Sequence, residues 1–523
     1  MRCISLILAL LSTILLFATP GFAQEKSAAK PRARDLGVPF DGIPGSLNAI
    51  TDVPGVAVGH TTLISGEGKL VVGKGPVRTG VTAVLPRGKD SMMNPVFAGW
   101  FSQNGNGEMT GTTWVEESGF LEGPVMITNT HSVGVVRDAV IQWRVNHGQP
   151  DASGYWWSLP VVAETWDGWL NDINGFHVKP EHAFHAMDSS HGGPVEEGNV
   201  GGGTGMICNG FKGGIGTSSR QLPAKDGGYL VGVLVQCNYG SRQNFRVAGI
   251  PVGREISSED PYAYQRSEVS EQGSIIIVVA TNAPLLPTQL KRLARRATLG
   301  LGRDGSISGN GSGDIFIAFS TANPGAASAT SPVEVKMLPN ESLDPMFAAV
   351  VQATEEAIIN GMIAAESMTG IDDHHVTAPP TTNSRLFLRN TNDSIRNPGH
   401  LAATGFVFPI RPSFFVALLQ FQCALFAAAV ISLFHASRWI ACSCFLVFSS
   451  TIGRHRHHPC HGHRGYRRAF AARLHGLAFR SAHYRCRSFL LDEHSSRCEN
   501  HRWPWKIPDP RTGRHARPPY RCG

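Results

Sequence analysis

A chain of 523 residues with 42% hydrophobic and 17% charged side chains can bury a large core, which excludes a disordered or collagen-like protein. The formal net charge is +7, yet residues 451–523 hold 16 Lys and Arg against 4 Asp and Glu, leaving 31 against 36 in residues 1–450. The basicity belongs to the tail, and the body lacks the basic stripe interleaved with aromatics that nucleic-acid binding uses, so no nucleic-acid partner is expected.

The N-terminus, "MRCISLILALLSTILLFATPGFAQ", has one Arg, an apolar run from Ile4 to Ala18, and small residues Gly21 and Ala23 at cleavage spacing. This reads as a secretory signal over residues 1–23, cut after Ala23, and places the mature protein in the periplasm or outside the cell. Its apolar core is shorter than the ~20 residues a membrane span needs. Of the 10 cysteines only Cys208 and Cys237 lie between the signal and Cys423, so the body can hold one disulfide and is not a disulfide scaffold.

From Arg32 to Thr369 short apolar runs alternate with Gly-rich turns and helical patterns, as in one α/β body. Strands are predicted at "GVTAVLP" from Gly80, "GPVMITNT" from Gly123, "GYLVGVLVQCNYG" from Gly228, the β-branched run after Ser274, and "GDIFIAFST" from Gly313. Helices are predicted at "SVGVVRDAVIQWRVNHG" from Ser132, "PTQLKRLARRATLGL" from Pro287, and "PMFAAVVQATEEAIINGMIAAESM" from Pro345. In the second helix Leu290, Leu293, Ala294 and Ala297 form one apolar face, and Lys291, Arg292, Arg295 and Arg296 form a solvated one.

Two glycine motifs look like phosphate cradles. "GLGRDG", Gly300 to Gly305, follows a helix rather than a strand, which rules out a dinucleotide loop. "GNVGGGTGMICNGFKGGIGTSS", Gly198 to Ser219, lacks the Gly-Lys-Ser/Thr ending and reads as backbone packed closely against a neighbour. "DDHHV", Asp372 to Val376, reads as a solvated loop. Past it, in residues 376–523, the text changes: Ser413 to Phe434 is long and apolar enough for a membrane span, interrupted by Gln420 and Gln422. "HRHHPCHGH", His455 to His463, lacks paired ligand spacing, so no metal is expected. The Arg-, His- and Cys-rich tail leaves three readings open: a frame-shifted stretch of GC-rich DNA, a membrane anchor, or a functional domain.

Chemistry concentrates at the Gly273-Ser274 pair, set before a buried strand, and at "GNGSGDIFIAFST", where Ser312 and Asp314 sit two apart at a strand start and face one side. Standing alone, the motif fits equally a Ser and an Asp that cap an ordinary turn.

These stretches resemble the family of self-processing N-terminal-nucleophile hydrolases comprising DmpA-type L-aminopeptidase/D-esterases and β-peptidyl aminopeptidases. The resemblance runs from "RARDLGVPFDGIPGSLNAITDVPGVAVGHTTL" through "NGNGEMTGTTWVEESGFLEGPVMITNTHSVG", "PVVAETWDGWLNDINGFHV", "LVQCNYG", "GSIIIVVATNAPL" and "GNGSGDIFIAFST" to "ATEEAIINGMIAAESMTG". It implies a four-layer αββα sandwich, shared with ornithine acetyltransferases, that cuts itself at Gly273-Ser274 into an α fragment (24–273) and a β fragment (274–375). It further implies Ser274 as nucleophile, Ser312 and Asp314 as its supports, Asn238 as oxyanion donor, and Glu164 as holder of a substrate ammonium. Asp314 stands where the resemblance leads to Glu, and Trp166 where it leads to Tyr. The implied enzyme is an exported aminopeptidase acting on short peptides, amides or esters through an acyl-enzyme, without cofactor, as a homo-oligomer of αβ units. Two alternatives are an acyltransferase of the same fold, whose nucleophile would be Thr, and a non-catalytic exported protein.

Overall fold

The computed structural model describes residues 30–150, 154, 157–256, 261, 272–328 and 330–380. The expected signal, the apolar stretch 413–434 and the His-rich tail lie outside the described residues. Among the described residues, no helix is long and apolar enough to cross a membrane.

Strands β1 (Ala57–Ser65), β2 (Val77–Lys89), β3 (Val96–Gly105), β4 (Phe120–Leu121), β5 (Val125–Asn129) and β6 (Val161–Thr165) are followed by a short hairpin of β7 (Ile207–Cys208) and β8 (Phe211–Lys212). Then come β9 (Gly214–Gln221), β10 (Leu230–Asn238), β11 (Gln272–Thr281) and β12 (Gly311–Ser320). One sheet has the order β1-β2-β5-β6 and the other β4-β3-β12-β11-β10-β9. Among the described residues the α-helices are α1 (Thr112–Ser118), α2 (Val133–His147), α3 (Pro180–Asp188), α4 (Pro287–Arg303) and α5 (Asp344–Ile363).

Alternation along the strands explains why both sheets are covered twice. In β11, Ile276, Val278 and Ala280 join a cluster with Leu234, Ile315, Ile317, Val125, Ile127, Val161 and Ala163, which draws on both sheets. The intervening Ile275, Ile277 and Val279 join Leu290, Leu293, Val350 and Ile358 from α4 and α5. On the four-stranded sheet Val81, Ala83, Met126 and Val162 meet Val136, Val140, Ala183 and Met187 from α2 and α3. The β-branched run after Ser274 thus packs on both faces, each such side chain contributing about 1.5–3 kcal/mol of burial.

The expected elements appear with shifted ends. β2 extends three residues before Gly80 and β12 begins at Gly311, while α5 stops at Ile363, short of Met368. "GLGRDG" overlaps the last turn of α4. The Gly198–Ser219 glycines do pack closely: a Cβ on Gly216 would collide with the carbonyl of Ala357 and lie 2.6 Å from Gly361 N, so glycine lets α5 lie against β9. The basic side of α4 faces solvent as expected, with Arg295 exposed, Lys291 pairing with Glu116 at the surface, and the guanidinium groups of Arg292 and Arg296 lying over Phe347. One expectation needs correction. "DDHHV" is a packed turn: Val376 is fully buried and pairs with Met368, and His374 stacks on Trp169 at 4.1 Å.

Candidate active site

Ser274 is the third residue of β11 and is 6% exposed. The Gly273–Ser274 bond therefore lies inside the strand, not at its junction with the preceding loop. In the antiparallel pairing with β10, Ser274 stands opposite Asn238, and in the parallel pairing with β12 it stands beside Gly313. Its hydroxyl accepts a hydrogen bond from Gly313 N at 3.2 Å. Gly273 has φ of 108°, in the region that favours glycine, and a Cβ there would collide with the carbonyl oxygen of Asn238 and come 3.0 Å from Tyr239 Cα. Two independent constraints, the left-handed backbone and the space, thus require glycine before this serine.

Asn238 is held at both ends of its amide. Ile207 N donates to Oδ1 at 2.8 Å, and Nδ2 donates to Trp166 O at 2.9 Å. A donor on one side and an acceptor on the other fix which end is oxygen and which is nitrogen. One Nδ2 hydrogen remains for a ligand beside Ser274.

Ser312 and Asp314 are both fully buried, and Ser312 Oγ donates to Asp314 Oδ1 at 2.5 Å. The aspartate, one methylene shorter than glutamate, reaches its partner. Period two puts this pair on the helix-facing side of β12 with Phe316 and Ala318, whereas Ser274 shares the inter-sheet side of β11 with Ile276 and Val278. Gly273 is the register partner of Ser312. Among the described residues no side-chain hydrogen bond joins Ser274 to Ser312 in the intact chain.

Glu164 lies near the end of β6 at 3% exposure. Oε1 accepts Glu108 N at 3.0 Å, and Oε2 accepts the Thr130 hydroxyl. Burial is the largest influence on the carboxyl and raises its pKa, opposed by those two hydrogen bonds. A Cβ on Gly107 would lie 3.2 Å from Glu164 Oε1 and 3.1 Å from Gly313 Cα, so a single glycine separates this carboxylate from the strand that flanks Ser274. Trp166, 44% exposed, stands at the rim and contributes its carbonyl to Asn238. Gln236 ties the two sheets together here, its Nε2 donating to Thr128 O at 3.1 Å and Thr165 Oγ1 at 2.8 Å.

Sequence reading missed the supports of these side chains. Thr130 holds Glu164. Asp167, fully desolvated and pushed up to about 6 mainly by burial, receives Asn129 Nδ2 at 3.1 Å and Asn171 Nδ2 at 3.0 Å, bracing the turn after Trp166. The Ile207 amide comes from the β7–β8 hairpin, whose two-residue turn is Asn209-Gly210 with φ of 50° and 71°. That Asn-Gly pair between "MIC" and "FK" was a legible hairpin signal. Cys208 and Cys237 form a disulfide with Cα atoms 5.7 Å apart, linking the hairpin to the end of β10. Among the described residues no group of three His, Cys, Asp or Glu could hold a metal.

Known proteins are similar to this chain in sequence and fold. The model for Peptidase family S58 matches residues 48–376. Beta-peptidyl aminopeptidase BapA of Sphingosinicella microcystinivorans is 57% identical over 373 residues, covering 69% of this chain and 93% of that protein. Its namesake from Sphingosinicella xenopeptidilytica is 49% identical over 367 residues, covering 68% and 91%. The solved L-aminopeptidase D-Ala-esterase/amidase of Ochrobactrum anthropi, described as a variant among the Ntn hydrolase fold, aligns with a TM-score of 0.64 and 48% identity over 69% of this chain and 99% of its own. A beta-aminopeptidase from Burkholderia sp. aligns with a TM-score of 0.62 and 45% identity over the same shares. The fold is that of an α/β protein, and the relatives define the chain as an aminopeptidase. The chain belongs to Peptidase family S58, which speaks against the non-catalytic alternative.

Proposed function

We propose that this aminopeptidase is an exported, self-processing serine enzyme whose αββα four-layer body splits at Gly273–Ser274 and then hydrolyses N-terminal residues from short peptides, amides or esters. One observation carries the reading: a position that only glycine can fill precedes a buried serine that faces both a main-chain donor and Asn238. In processing, Ser274 Oγ attacks the Gly273 carbonyl carbon, the C–N bond breaks as the nitrogen gains a proton, and water hydrolyses the resulting ester. Gly273 keeps the new carboxylate and Ser274 the new α-amine.

In turnover the same hydroxyl attacks the substrate carbonyl. Its proton passes to the α-amine of Ser274, whose pKa of about 7.7–8.0 suits that task, directly or through Ser312 held by Asp314. The main-chain nitrogen lies in the plane of the sheet, between the face that carries Ser274 Oγ and the face that carries Ser312, so it can serve both. The leaving amine takes the proton, and water then attacks the acyl-enzyme in a mirrored step. Asn238 Nδ2 donates to the oxyanion, and Glu164 pairs with the substrate ammonium, which restricts action to free N-termini.

The relatives named beta-peptidyl aminopeptidases favour a substrate whose first residue is a β-amino acid. The signal-like stretch at residues 1–23 favours a periplasmic or secreted enzyme, and mature αβ units would assemble with one another. An acyltransferase of the same fold would pass the acyl group to an amine, and serine rather than threonine at position 274 favours water. Incubation with aminoacyl and β-aminoacyl p-nitroanilides, with and without an acceptor amine, tests the reading: free amino acid and p-nitroaniline are expected. Exclusive acyl transfer, or no release by processed protein, would overturn it.

A further inference from the structure

The β7–β8 hairpin buries a charge behind Asn238. Lys212 is fully buried, and its Nζ donates to Met206 O at 2.8 Å, Gly213 O at 2.8 Å and Gly203 O at 3.5 Å. All three N–H bonds meet main-chain carbonyls, and no carboxylate pairs with the ammonium among the described residues. A lone buried ammonium is unfavourable to fold around, and burial lowers its pKa to about 7, but three carbonyl acceptors, one for each N–H, favour the protonated form and hold the charge in place. A methionine would fill the same volume without that cost.

The position of the charge gives it work to do. Ile207 and Lys212 face each other across the hairpin. The carbonyl of Met206 and the N–H of Ile207 are the two ends of one peptide group, and that N–H is the donor to Asn238 Oδ1. Gly213 N also donates to Met206 O, at 2.9 Å, so the carbonyl end is doubly capped. A chain of hydrogen bonds therefore runs from Lys212 through the Met206–Ile207 peptide to the Asn238 amide, every link donating in the same direction. Bonds in such a chain polarise one another.

We infer that Lys212 is a positioning residue for the oxyanion: its ammonium polarises the Met206–Ile207 peptide, draws electron density from Asn238 Oδ1, and makes Asn238 Nδ2 a stronger, better oriented donor at Ser274. This rests on the reading of Ser274 as nucleophile and Asn238 as oxyanion donor. It concerns a group that touches no reacting atom and acts only through the hairpin, which the Cys208–Cys237 disulfide keeps against β10.

The test compares processed wild-type enzyme, Lys212→Met, Lys212→Gln, Asn238→Ala and the double variant Lys212→Met/Asn238→Ala on one aminoacyl p-nitroanilide. Loss of the whole Asn238 donor costs about 10²–10³ in kcat, so loss of its polarisation should cost about tenfold, with KM changed less than about twofold. Lys212→Gln, which keeps two N–H donors, should fall between wild type and Lys212→Met. In the Asn238→Ala background Lys212→Met should have no further effect on kcat, because the chain then ends on nothing. An unchanged kcat, an effect confined to KM, or full multiplication of the two losses would overturn the proposal, as would failure of both Lys212 variants to accumulate as folded protein, which would assign the lysine to the fold alone. Ser274→Ala, run alongside, separates this from the reading beneath it: turnover retained there would overturn the serine mechanism itself.

Discussion

Replacing Glu164 by glutamine should weaken catalysis and strengthen the fold at once. The side chain is 3% exposed and keeps its neighbours in either form: Glu108 N still finds an oxygen, and the Thr130 hydroxyl can turn from donor to acceptor. Only the charge is removed. A hydrogen bond to a charged partner contributes about 1.5–3 kcal/mol, so kcat/KM for a free-amine substrate should fall about 10- to 150-fold, mostly through KM if the ammonium contact is equal in ground and transition states. Burial raises the pKa of the carboxyl above its unfolded value, so the folded protein resists ionising it and loses stability as pH rises from about 4.5 through the folded pKa. Glutamine abolishes that loss, and Tm at pH 8 should rise. Because ammonium binding needs the carboxylate, kcat/KM of the parent should fall as pH drops through the same raised pKa. Steady-state kinetics on a free and an N-acetylated anilide, with a thermal melt of each protein, measure all of this. Equal turnover of the free and blocked substrates by the parent, or an unchanged kcat/KM in Glu164→Gln, would refute the ammonium role.

Two further substitutions probe the same frame. Gly273→Ala places a Cβ against the Asn238 carbonyl at a φ of 108°, a backbone strain of about 1–3 kcal/mol before the collision is counted, so the precursor should melt lower and remain unprocessed by intact mass. Asp304, fully buried at the end of α4, has both carboxyl oxygens without a hydrogen-bond partner among the described residues, and burial followed by nearby Glu355 raises its pKa well above the usual range. The native fold therefore loses stability as pH rises through about 4, and Asp304→Asn should raise Tm at pH 8 while changing it far less at pH ~3, where the carboxyl is largely protonated in both states.

Legibility in the sequence followed the range of the interaction. The run Ile275–Ala280 announced a strand buried on both faces because each of its side chains needs only a neighbouring layer, whatever that layer is. Ser312 and Asp314 could be paired because period two alone puts them on one face, and the structure joins them at 2.5 Å. Strand ends were less legible: β11 takes in Gln272 and Gly273 because pairing with Gly311 and Ser312 of β12 extends it, and neither partner is near in sequence. Thr130, Asp167 and Lys212 were silent for the same reason. Each acts on a residue from a different turn or strand, and a lone Thr, Asp or Lys in sequence looks like any surface residue. The Asn209-Gly210 turn was the one local clue to the hairpin behind Asn238.

The central claim is that one hydroxyl both cuts the chain and carries the acyl group. Intact mass and N-terminal sequencing of purified wild type and Ser274→Ala test it most directly. A wild-type fragment beginning Ser-Ile-Ile-Ile at Ser274 is expected, together with a Ser274→Ala protein that stays one chain and hydrolyses nothing. A Ser274→Ala protein cut at the same bond and still active would contradict it.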